Sequence, residues 1–164
     1  MDKNLPPPAA NIVDSLGLRR VYEGVYLKRV YESAALSGAR RAVTSAYVLA
    51  ARVAPSRLHR LDCDELWHFY AGQPLHIYTF GQDGVRSQVL GVNVARGENP
   101  LVAIPRGVIF GAAVAGFNDW CLFGCTCAPG FQPEGCEFFA AGSPALASFT
   151  GHAELIRHLT FGGA

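Results

Sequence analysis

Charge is scarce in this sequence. Only 16% of its 164 residues are charged, and 14 basic residues against 13 acidic ones leave a formal net charge of +1. No basic block and no acidic tail breaks that balance. Non-specific binding to nucleic acid needs a clustered cationic surface, so no nucleic-acid partner is expected. Apolar runs of eighteen residues free of polar breaks are also missing, so neither a membrane span nor a membrane partner is expected. The opening M-D-K-N-L-P-P-P-A-A lacks the apolar core of a signal peptide, which makes the cytoplasm the expected location. Cys63, Cys121, Cys125, Cys127 and Cys136 are odd in number and contain no C-x-x-C pair. That argues against a disulfide framework or a zinc ribbon, and the thiols read as small core hydrophobes. Cys125 and Cys127, two apart in a strand-like run, would share one face. No G-x-S-x-G occurs, and Asp14 and Ser15 have no histidine at a triad spacing, so a serine nucleophile has no support.

What is present is a half-hydrophobic chain long enough for one domain with a real core. Residues 1–10, with their P-P-P, read as a flexible extended arm, and 11–164 as the domain. A short helix is predicted over 11–18, ending near Gly17. The run 21–31, with Tyr22, Tyr26 and Tyr31 among valines, favours extended structure. Residues 42–53 read as a strand. Turn signals then recur every 8 to 15 residues: Gly72-Gln73-Pro74, Gly81-Gln82-Asp83-Gly84, residues 96–100, Gly107, and residues 116–119. Short strands at that spacing indicate an antiparallel sandwich or barrel. The tail 152–159, apolar at Leu155, Ile156 and Leu159, predicts a terminal helix.

One stretch gathers most of the proton-transfer chemistry: R-L-H-R-L-D-C-D-E-L-W-H-F-Y-A-G, from Arg57 to Gly72. Its His59, Glu65 and Gly72 resemble the first cupin motif, H-x-H-x(3,4)-E-x(6)-G, and Pro105-Arg106-Gly107 resembles the P-x-G of the second. A closer resemblance, to the cupin-5 family related to the dTDP-sugar-epimerase-like cupins, covers most of the chain. It rests on Y-E-G-V-Y (22–26), residues 59–75, L-G (90–91), G-E-N-P (97–100), I-P-R-G (104–107), C-x-C-A-P-G-F (125–131) and H-A-E-L-I-R-H-L-T (152–160). The resemblance implies an all-β, cupin-type antiparallel jelly-roll barrel, here with a short N-terminal helix or arm and a C-terminal helix, and usually a homodimer. Two departures bear on chemistry. The second histidine of the first motif falls at Leu61 and the histidine of the second at Phe110. Two of four ligand positions are thus apolar, and His59 with Glu65 makes a poor metal site, so no metal or other cofactor is expected. The family also tends to carry polar or tryptophan residues where Leu101, Ile109 and Phe110 stand, which implies a greasier cavity.

Alternation along a strand puts Glu65, Trp67 and Phe69 on one face. A hairpin about residues 71–74 would then set Phe69 opposite His76 and Trp67 opposite Tyr78, bringing His76 and Tyr78 to the same face. The catalytic candidates are therefore His59, Glu65 and Tyr78. The substrate-binding candidates are Leu61, Trp67, Phe69, His76, Leu101, Ile109 and Phe110. Burial raises a carboxyl's pKa, so Glu65 can serve as an acid; His59 titrates near neutrality and can serve as the base; Tyr78 can donate to a developing oxyanion. The predicted function is a cofactor-independent isomerase or lyase (epimerase, dehydratase or cyclase type) on a small hydrophobic or carbonyl-bearing metabolite. Two alternatives stand beside it: a non-catalytic small-molecule-binding cupin, and a metal-dependent cupin enzyme with a further ligand.

Overall fold

The first helix begins where the sequence suggested an extended arm. In the computed structural model, which describes residues 5–21, 24–116 and 119–160, α1 runs Pro7–Leu16. A proline at the first helical position has its φ preset and gives up only an N–H that would be orphaned anyway, so P-P-P initiates the helix and does not extend the chain. Leu5, Ala9 and Ala10 are buried, so this part of the expected arm is docked, while residues 1–4 lie outside the described residues. Gly17 ends α1 at φ 66°, a conformation open to glycine.

The strands follow in chain order: β1 (Arg19–Arg20), β2 (Tyr26–Glu32), β3 (Leu36–Ser37), β4 (Arg40–Arg41), β5 (Thr44–Ala51), β6 (Ser56–Leu61), β7 (Asp64–Gly72), β8 (Leu75–Gly81), β9 (Gly84–Leu90), β10 (Leu101–Ile104), β11 (Ile109–Val114), β12 (Trp120–Ala128) and β13 (Cys136–Phe138). A one-and-a-half-turn helix, α2 (Ala153–His158), closes the described chain, as the tail predicted. From β5 onward nearly every connection changes sheet. Among the described residues the strands form a six-stranded sheet ordered β1-β2-β5-β12-β7-β10, a five-stranded sheet ordered β13-β6-β11-β8-β9, and the small β3-β4 hairpin. All strand ladders are antiparallel.

The expected closed barrel does not form. Both large sheets keep free edges, β1 and β10 on one and β13 and β9 on the other. Closure would need ladders across those edges, but β1 has two residues and β13 three, and one isolated bridge, Leu90 to Asn99, spans the β9 side. Among the described residues the fold is an open, all-β jelly-roll sandwich flanked by two α-helices.

The core lies between the sheets. Trp67, Phe110 and Phe123 are its largest fully buried side chains, each stabilising by roughly 2–3 kcal/mol of apolar burial. Two smaller clusters flank it. The first is α1 on the outer face of the six-stranded sheet, around Tyr26 and Leu49. The second is α2 on the outer face of the five-stranded sheet, around Leu58, Ile109 and Leu159.

Candidate functional site

A cavity of about 150 Å³ opens between the two sheets, lined by His59, Leu61, Glu65 and Trp67 together with Ser56, Phe123, Cys125 and Cys127. Strand register explains the wall from the six-stranded sheet. Glu65 faces Cys127, which faces Thr44; Trp67 faces Cys125, which faces Ala46; Phe69 faces Phe123, which faces Val48. Directly opposed residues share a face, so three short rungs build one inner surface. Glu65 and Trp67 sit in it at 7% and 2% exposure. Phe69 is half-buried and packed against the core but does not line the cavity, although its rung partners Phe123 and Val48 do. Gly72 ends β7 at φ 98°, and a Cβ there would collide with the Trp120 carbonyl.

The wall from the five-stranded sheet depends on a bulge. Phe110 pairs with His59 while Ala112 pairs with Ser56, so β6 spends three steps where β11 spends two. The extra residue lets Ser56 and His59, three apart, both face the cavity. The groups freed at the bulge are accounted for. Leu58 N–H donates to the Leu159 carbonyl at 2.7 Å, and the Leu58 carbonyl accepts from Phe139 N–H at 3.0 Å. The Arg57 guanidinium donates to the carbonyls of His158 and Thr160 at 3.0 and 2.8 Å. The C-terminal tail is thereby pinned to the strand that carries His59.

His59 is 5% exposed, with its ring 4.2 Å from that of Phe110 and 5.7 Å from that of Phe138. Its Nδ1 lies 2.6 Å from the Arg57 carbonyl oxygen. A carbonyl only accepts, so Nδ1 carries the proton and Nε2 keeps its lone pair. Burial pulls the imidazole down to about 4, against the smaller opposing effect of that hydrogen bond. His59 is therefore a neutral, oriented base at neutral pH. Glu65 Oε1 accepts from the Cys127 thiol at 3.6 Å. A hydrogen bond with Cys63 and then burial hold that thiol far above the usual range, so it stays a donor. Trp67 packs on Phe123 at 4.5 Å and edge-on to Phe110 at 5.9 Å. Its indole N–H is buried with no hydrogen-bond partner among the described residues.

The other candidates stand elsewhere. His76 and Tyr78 lie in a groove on the outer face of the five-stranded sheet, beside Leu155 and His158, their rings 6.5 Å apart. The predicted hairpin does not exist: β7 pairs with β12 and β10, β8 pairs with β11 and β9, and residues 73–74 carry the chain from one sheet to the other. Ile109 alternates with inward Phe110 and so packs outward beneath α2. Phe110 backs the cavity through its contacts with His59 and Trp67 and does not itself line it. Leu101 opposes outward-facing His68 at the sheet edge and is 47% exposed. Ser56, Phe123, Cys125 and Cys127 were missed as site residues. Only the Cys125–Cys127 alternation gave a signal, and the bulge that turns Ser56 inward leaves none. At the rim Arg29 donates to Glu32 at 2.8 Å and to the Phe131 carbonyl at 3.2 Å. Tyr22 and Glu23 lie outside the described residues.

A jelly-roll sandwich with its apolar pocket between the sheets, walled by a histidine and a glutamate from adjoining strands, defines a cupin. The sequence profile of the Cupin_5 family, described as "Cupin superfamily (DUF985)", matches residues 10–139, and the chain belongs to that family. Two solved structures resemble it over nearly their whole lengths. A protein from Shewanella oneidensis is 33% identical, with a TM-score of 0.85, over 93% of this chain and 96% of that one. A hypothetical protein from Leishmania major is 29% identical, with a TM-score of 0.85, over 93% and 98%. Oxalate decarboxylase from Bacillus subtilis shares the fold at 20% identity and a TM-score of 0.54, over 85% of this chain and 36% of that one. No curated protein matches the sequence.

Many cupins hold a metal, and the residues here do not suit one. Of the four positions matched to ligands, Leu61 and Phe110 are buried hydrocarbon, with the Phe110 ring laid against His59. That leaves two donors where stable transition-metal sites use three or four. Among the described residues no group of three His, Cys, Asp or Glu side chains could hold a metal ion. No helix among them is long and apolar enough to cross a membrane.

Proposed function

We propose that this cupin is an isomerase or lyase that acts without a metal or other cofactor on a small, hydrophobic, carbonyl-bearing molecule held between the sheets. His59 is the base and Glu65 the acid. The observation that carries the reading is the 2.6 Å contact from His59 Nδ1 to the Arg57 carbonyl, which leaves the Nε2 lone pair unused on a histidine lining the same cavity as a carboxyl group. Nε2 takes the proton from the carbon next to the substrate carbonyl, and the C–H electrons move to the oxygen as an enolate. Glu65, buried in the same wall, is assigned as the proton donor. Its proton goes to carbon in an isomerisation, or to a departing hydroxyl, released as water, in a dehydration.

Hydrogen–deuterium exchange tests this. A panel of small cyclic and aryl ketones is incubated with the protein in D₂O, and loss of the α-proton is followed by NMR. The wild type should accelerate exchange of at least one bound ketone, and His59→Gln should abolish the acceleration. Binding without any exchange above the His59→Gln background would leave a binding protein and end the acid–base reading.

A further inference from the structure

We infer that the indole N–H of Trp67 is the hydrogen-bond donor to the substrate's carbonyl oxygen, and that the substrate is a ketone or aldehyde about the size of benzene. This rests on the small-molecule cavity proposed above. The indole N–H of Trp67 is buried and has no partner among the described residues. Buried polar groups are nearly always hydrogen-bonded, and the indole N–H of a buried tryptophan usually finds an acceptor. The ring carrying it walls the cavity, two residues along the same strand face from Glu65.

Acceptors stand in the same wall, at Glu65, His59 and Ser56, but among the described residues none of them is bonded to the indole N–H. Two of the wall's three hydroxyls are bonded elsewhere: Thr44 accepts from Phe131 N–H at 2.9 Å, and Ser45 bonds Thr126 at 3.1 Å. Water is a poor substitute, because a buried water needs two to four polar partners and this wall is mostly hydrocarbon and thiol. The remaining acceptor is one that a ligand brings. Position favours an oxygen on a compact molecule, since an apolar cavity of about 150 Å³ takes a benzene-sized guest. Tyr78, the donor that alternation suggested for this task, lies outside the cavity on the opposite face of its sheet.

The test compares cyclohexanone with methylenecyclohexane, an isostere in which the carbonyl oxygen is replaced by CH₂. The indole ¹H–¹⁵N resonance of Trp67 is read during each titration, with Trp120, packed near α1 away from the cavity, as internal reference. Cyclohexanone should move the Trp67 resonance downfield saturably, and the hydrocarbon, which carries no acceptor, should leave it in place. Trp67→Phe should weaken cyclohexanone about tenfold and leave the hydrocarbon's affinity unchanged; the wild-type titration decides even if that variant folds poorly. If both compounds shift the Val48 and Leu61 methyl resonances equally and the indole stays still, the donor assignment is wrong while the cavity stands. If neither disturbs any cavity resonance at its solubility limit, the binding reading fails and this inference falls with it.

Discussion

The five-stranded sheet carries two histidine sites back to back, and they differ in kind. On the inner face His59 is sealed between Phe110 and Phe138, with Nδ1 tied to a backbone carbonyl and the Nε2 lone pair unused. On the outer face His76 shares a half-open groove with Tyr78, Arg52 and His158. Both faces offer an imidazole beside aromatic rings, so residue type alone does not separate them. What separates them is burial and a partner: His59 is 5% exposed with its tautomer set by the Arg57 carbonyl and its pKa depressed by burial, whereas His76 is only half-buried in its groove. The largest expected effect follows directly. His59→Gln should lower ketone proton exchange by about 10²- to 10⁴-fold, the usual worth of a positioned base. His76→Gln should leave it within about twofold, because it removes nothing from the cavity. Equal losses in the two variants would erase the distinction.

The second effect is on stability against pH. His59 is held at about 4, below its ordinary value of 6.5, chiefly by burial. Above pH 6.5 neither the folded nor the unfolded state protonates it, and its full contribution is present. As the pH falls below 6.5 the unfolded chain takes up the proton first, so stability declines until the folded state also protonates near 4. The loss approaches about 3 kcal/mol. In denaturant melts at pH 7 and pH 4, the wild type should lose about that much more than His59→Gln does. His158 in the outer groove is also lowered, by burial and then by Arg52 and Arg57, so its effect has the same sign. It is half-buried and screened by solvent, and His158→Gln should flatten the acid limb visibly less.

One residue joins the two faces. Arg57 clamps the tail on the outside through the carbonyls of His158 and Thr160, while its own carbonyl orients His59 on the inside. Arg57→Ala should cost about 2 kcal/mol, the range for hydrogen bonds from a charged donor, measured by chemical denaturation. Because the backbone carbonyl remains, proton exchange should fall far less than in His59→Gln. A collapse of exchange with stability unchanged would assign the arginine a direct part in the chemistry instead.

The same two faces show how far the sequence could be read. The strand from Asp64 to Gly72 and its inward Glu65 and Trp67 were legible, because alternation is local and β7 is continuous enough to express it. Family motifs carried His59 and the jelly-roll topology. Tyr78 and His76 were placed wrongly because Gly72-Gln73-Pro74 looks like a hairpin turn and in fact switches sheets; nothing local distinguishes the two. Ile109 and Phe110 were nominated together although one strand cannot turn both inward. The barrel failed on its edges, where pairing depends on strands of two and three residues. The bulge at Arg57 and Leu58 was invisible, since it is set by the Leu159 and Phe139 partners far along the chain.

The smallest effect is the sharpest check on that placement. Tyr78→Phe removes one phenolic oxygen from the position that alternation nominated as the oxyanion donor. The ring stays, so its packing with His76 and with the cluster beneath α2 survives. Stability should change by no more than about 0.5 kcal/mol, as for a substitution that disturbs no buried group. Ketone exchange should stay within about twofold, because no cavity atom has been touched. A tenfold fall in exchange at unchanged stability would mean that the hydroxyl reaches the reacting oxygen. The hairpin register would then be right, the sheet switch at residues 73–74 wrong, and Trp67 unnecessary as the carbonyl donor.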